Sequence, residues 1–211
     1  MLSPTMARLG AWCGVAAGLT LGLPAAVEAV TGETPATGFV LALSPALAIP
    51  LLVVLHLRQA AVTGRFGAVA VTVNLVGLGL FGGAGFALNI VLIRFDDAAV
   101  QDLVRGPVLL AFLGSAVVFA TGAVLFGVAT ARAGVFPRVP AIAYAISLPV
   151  LALAAPLPDS IATSALHVVS GATLVWLATS VGTAASAVGG PLAQEREHRG
   201  DPAVHRPVGQ P

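Results

Sequence analysis

Four polar side chains lie in or beside long apolar runs and are the residues best placed to do chemistry: Glu28, Asn89, Asp159 and His167. A polar group in lipid is costly, so each marks a candidate site. Glu28 is expected at the outer end of the first run and Asn89 near the outer end of the third. Asp159 opens the sixth run, and His167 lies about two turns into it. Facing one another, they would form a polar pocket in the outer leaflet. A carboxylate beside an imidazole in such a pocket could relay protons or hold a polar head group. A plainer reading stands beside this one: Glu28 sits among headgroups, Asn89 bonds a neighbouring helix, and His167 is simply packed.

A second constellation is the string Asp96, Asp97 and Asp102. Acidic strings of this kind hold magnesium–diphosphate in prenyl-chain enzymes. Here the string falls on the expected outer face, where prenyl diphosphates are absent. Phe95, Val100, Leu103 and Val104 are interleaved with it, so it also reads as an interfacial helix. The sequence has no GxSxG, no His-Glu-x-x-His, no phosphate loop and no CxxC. The lone Cys13 cannot form an internal disulfide. No metal and no cofactor is expected.

The elements that must position these groups are membrane helices. The 211 residues are 57% hydrophobic and only 9% charged, far below the roughly 25% of a soluble domain. Mean hydropathy is +0.97. Apolar runs cover residues 7–30, 37–57, 67–93, 106–131, 139–157 and 160–188. Each must close its backbone hydrogen bonds within itself in lipid, so each is expected to be helical. The fold class is therefore all-α: a polytopic transmembrane bundle of six spans filling residues 1–190. Residues 191–211 are expected to be a disordered polar cytoplasmic tail.

Arginine placement sets the orientation. All ten basic residues are Arg, a bias that fits a high-GC genome. With a cytoplasmic N-terminus, Arg8, Arg58, Arg65, Arg132, Arg138, Arg196, Arg199 and Arg206 lie inside, and only Arg94 and Arg105 lie outside. This is the positive-inside pattern, and it places both termini in the cytoplasm of a bacterial inner-membrane protein. An alternative reading makes the first 29 residues a cleaved signal, with Val27-Glu28-Ala29 as the cleavage site. A net charge of +1 gives no electrostatic case for nucleic acid; the expected surroundings are the lipid bilayer.

Packing signals accompany the spans. Gly14, Gly18 and Gly22 form two linked GxxxG steps, and Gly79 and Gly83 another. The first set is a candidate face for a helix of the same chain, for a homo-oligomer or for a membrane-protein partner. Pro45 and Pro50 in the second span and Pro149 in the fifth are expected to kink their helices. These spans hold equivalent places in two three-helix halves of opposite topology, a pattern that points toward a transporter-like site at the midplane.

The segment Gly127-Val-Ala-Thr-Ala-Arg132-Ala-Gly134-Val-Phe-Pro137-Arg138 resembles a cytoplasmic turn found in small multi-span integral membrane proteins of high-GC bacteria, mostly of unknown function. The resemblance implies a fold type and no activity. Independently of it, Arg132 and Arg138 would pin two helix ends to the inner leaflet, and Gly134 and Pro137 would force the turn. The expected function is that of an integral membrane protein in small-solute or lipid handling, or an accessory membrane subunit. The alternative is a membrane-embedded enzyme acting on an apolar substrate, for example a terpenoid cyclase using Glu28, Asp159 or His167 as proton donor.

Overall fold

The structure, a computed structural model, describes residues 2–91, 95–103, 105–157 and 160–198. Asp159 and Arg94 lie outside them, as do residues 199–211, most of the expected tail. The described chain is helical throughout: α1 (Pro4–Thr31), α2 (Pro35–Ala42), α3 (Ser44–Phe86), a π-helical segment (Ala87–Val91), α4 (Asp97–Leu103), α5 (Pro107–Ala133), α6 (Arg138–Ala154) and α7 (Ile161–His198).

The long element α3 is two helices. Gly64, at φ 53° and ψ −140°, breaks its helical geometry in a left-handed region that a side chain would strain. The two arms fold back on each other, since a Cβ on Gly82 near the end of the second arm would lie 2.6 Å from Pro45 at the start of the first. The first arm runs antiparallel to α1: Gly10 meets Pro50 and Val54, while Gly14 meets Leu51. α7 also runs antiparallel to α1, with Gly14 against Ala178 and Gly22 against Val168. On the other side Gly77 meets Phe119 and Gly122 meets Asn74, so the second arm and α5 cross antiparallel with backbones in contact. Gly134 then caps α5 in the left-handed conformation, and α6 returns from Arg138. Six rods thus alternate in direction around one core.

Polar bonds tie the rods together inside that core. Asn74 Nδ2 donates to Tyr144 Oη at 2.8 Å, joining the second arm of α3 to α6. Gln59 Nε2 donates to Thr130 Oγ1 at 2.9 Å, and Thr130 donates on to Phe126 O. Ser44 Oγ donates to Ala17 O at 2.9 Å, fixing α3 on α1. All four side chains at these inter-rod junctions that belong to α3 or α6 are buried. The outside is apolar as well. On α6, Val139, Ile142, Ile146, Val150 and Leu153 form an exposed apolar stripe, and Leu9, Trp12 and Leu23 do the same on α1. Four stretches (4–31, 35–90, 107–133 and 161–182) are long and apolar enough to cross a membrane; α6 is equally apolar but shorter.

The glycine faces distribute differently from the sequence reading. Gly14 and Gly18 are buried against α3 and α7 of the same chain, and the Gly18 and Gly171 backbones touch. These two glycines thus pack against helices of the same chain. Gly79 and Gly83 face outward, and an added Cβ there would meet nothing within 4 Å. The close contacts of this helix come instead from Gly77 and Gly82. Pro45 lies in the first turn of α3, beside the junction with α2, while Pro50 and Pro149 lie inside helices.

Candidate functional site

A cavity of about 280 Å³ opens at the end of the bundle opposite the Gly64 and Gly134 turns. Glu28, Asn89 and His167 all line it, although 61 and 78 residues separate them in sequence, respectively. Glu33, Thr163 and Pro45 line it as well. The remaining wall is apolar and includes Phe81, Phe86, Phe112 and Leu151. A second cavity of about 310 Å³ lies along the second arm of α3 and α5, with Leu80, Ala84, Val108 and Ala111 in its wall. The two share Leu88 and Phe112, so an apolar lateral groove adjoins the polar cavity.

Local sequence sets each polar group. Glu28 sits in the last turn of α1, where its carbonyl accepts the N–H of Gly32. Its Oε1 is shut off from solvent and has no hydrogen-bond partner. Asn89 stands on the π-helical segment, a form that appears mostly as single turns at functional sites. Its Nδ2 donates to Gly85 O at 2.8 Å, the carbonyl that an α-helix would assign to the Asn89 backbone N–H. Gly38 of α2 packs closely on it: a Cβ there would lie 3.4 Å from Asn89 Oδ1.

His167 is held by its own helix. Its Nδ1 lies 2.8 Å from Thr163 O. A carbonyl only accepts, so Nδ1 carries the proton, and in the neutral ring Nε2 is left as an acceptor. The start of α7 is itself fixed, because Ser160 N donates to Thr163 Oγ1 and Thr163 N donates to Ser160 Oγ. The Thr163 hydroxyl donates to Ser160 O and so has no hydrogen left for the cavity. Thr34 and Thr37 make the same reciprocal capping box at the start of α2. Two capped helix starts thus frame the rim.

Two members of the acidic string, Asp96 and Asp102, take surface roles. Asp96 Oδ1 accepts the N–H of Ala99 at the start of α4, and Asp102 pairs with Arg105 at 3.0 Å in full exposure. Among the described residues no group of three or more His, Cys, Asp or Glu is placed to hold a metal ion. The sequence reading passed over two polar residues of α3. Gln59, beside Arg58, reads as part of a turn but is fully buried. His56 keeps Nδ1 away from solvent without a partner. The long apolar run before each was the available signal that the helix continues.

Comparison of the chain with protein families, with curated proteins and with solved structures finds no match.

Proposed function

We propose that the chain crosses a bacterial cell membrane six times, with both termini and the arginine-bearing turns cytoplasmic, and that it binds a small amphipathic molecule in the outer-end cavity. Its role on this reading is small-solute or lipid handling. The observation that carries it is the meeting of Glu28, Asn89 and His167 in one mostly apolar cavity. Binding sites for small molecules have this make-up: mostly apolar walls with a few convergent polar groups. The adjoining groove supports a lateral approach from lipid. The exposed apolar stripes support the membrane setting, because in water they would form patches far larger than soluble proteins carry.

Gly85 offers a clean test. It lines the cavity, and a Cβ added there meets nothing within 4 Å. Gly85→Leu therefore fills the cavity without a backbone clash. Thermal unfolding in a non-ionic detergent, with 2-phenylethylamine, 2-phenylethanol and 3-phenylpropionate as probes, reads the result. At least one probe stabilises the wild-type protein, by about 2.7 kcal/mol at 100 times its Kd, and leaves Gly85→Leu unmoved. Equal stabilisation of both proteins by every active probe contradicts the proposal.

The unpartnered Glu28 Oε1 also favours a second reading, an enzyme using Glu28 as a proton donor to an apolar substrate, as a terpenoid cyclase would. Conversion of a prenylated substrate by membranes holding the protein, abolished by Glu28→Gln, would select this reading over simple binding.

A further inference from the structure

Among the described residues, Glu28, Asn89 and His167 together turn more acceptors than donors to the cavity. Glu28 brings a carboxylate, and no Lys or Arg stands among the described lining residues. The uncommitted atoms are nearly all acceptors. Glu28 Oε1 has no partner. His167 has its Nδ1 hydrogen engaged by Thr163 O, which leaves Nε2 to accept. Asn89 offers Oδ1, with one Nδ2 hydrogen already given to Gly85 O. The Thr163 hydroxyl hydrogen is spent on Ser160 O. The one uncommitted side-chain donor of these groups is the second hydrogen of Asn89 Nδ2. An anionic ligand would meet the Glu28 carboxylate and almost no donors among these groups, and a neutral hydroxyl could satisfy one acceptor at most.

We propose that the cavity selects a primary ammonium group carried on an apolar body. Such a group has three donors and no acceptor, the complement of Glu28 Oε1, Asn89 Oδ1 and His167 Nε2. Its charge offsets the carboxylate of Glu28, and an unpaired charge away from water is expensive to leave unmatched. The rings of Phe81, Phe86 and Phe112 suit both parts of this ligand, since aromatic faces pack apolar groups and attract cations. This inference rests on the reading of the cavity as a binding site and adds its charge selectivity.

Isothermal titration in non-ionic detergent separates the two. The probes are 2-phenylethylamine and its near-isosteres 2-phenylethanol and 3-phenylpropionate, tested on wild type, Glu28→Gln and Gly85→Leu. The amine is expected to bind on the order of tenfold or more tighter than either isostere, and to lose a similar factor in Glu28→Gln. Glu28 is part-buried at a helix end, and unchanged thermal unfolding of Glu28→Gln without ligand verifies its fold. Short-chain dihexanoyl phosphatidylethanolamine is the second arm. Displacement of the amine by it, with the same Glu28 dependence, assigns the ammonium to a lipid headgroup; no displacement assigns it to a free amine. Tight binding of the alcohol or carboxylate that Gly85→Leu abolishes overturns the ammonium proposal and leaves the binding site standing. Amine binding unchanged in Glu28→Gln does the same. No binding by any probe, or binding that Gly85→Leu leaves intact, overturns both.

Discussion

Glu28, Asn89 and His167 were legible as site candidates because polar residues in apolar runs are few and each needs a reason to be there. That they share a cavity was not legible, since no spacing rule links positions on three separate helices. Their donor and acceptor states were hidden too, because these depend on the carbonyls of Thr163 and Gly85. The same holds for the core. Asn74 and Tyr144 lie 70 residues apart on different apolar runs, and only the folded bundle pairs them. Interhelical hydrogen bonds of this kind contribute modestly in membranes. A double-mutant cycle on Asn74→Leu and Tyr144→Phe, followed by unfolding in mixed detergent, is expected to give a coupling of about 0.6–1.7 kcal/mol. A coupling near zero would mean that the pair does not hold the helices together.

At the scale of elements, the apolar runs gave the helices because in lipid a backbone has few other ways to satisfy its polar groups. The turns were also readable where glycine and proline coincide with arginine, as at Gly134, Pro137 and Arg138. Glycine faces were less so. GxxxG spacing marks one face of a helix but not which partner covers it, and a shift of one residue from Gly83 to Gly82 rotates the face by about 100°. The structure ranks these glycines by what surrounds them. Gly18→Leu must push α1 off the α7 backbone and is expected to destabilise by about 1–3 kcal/mol or more. Gly83→Leu, on the open face, is expected to be neutral or slightly stabilising through its better helix propensity. Thermal unfolding of the two variants checks the order; equal losses would place both glycines at helix contacts.

For the whole molecule, large apolar residues fill the core and also cover the outside, a surface suited to lipid rather than to water. The arginine turns at Arg58, Arg65, Arg132 and Arg138 collect at the end holding Gly64 and Gly134, and the candidate cavity opens at the other. The proposed topology puts the arginine end in the cytoplasm and the cavity end outside. Cysteine labelling tests it most directly. In a Cys13→Ala background, single cysteines replace Thr31 or Arg105 at the cavity end, and Arg65 or Arg132 at the other; all four native side chains are exposed. A membrane-impermeant maleimide applied to right-side-out vesicles is expected to label positions 31 and 105 at once, and positions 65 and 132 only after the membrane is opened. Labelling of position 65 or 132 in sealed vesicles, or recovery of the protein in the soluble fraction without detergent, would contradict the account.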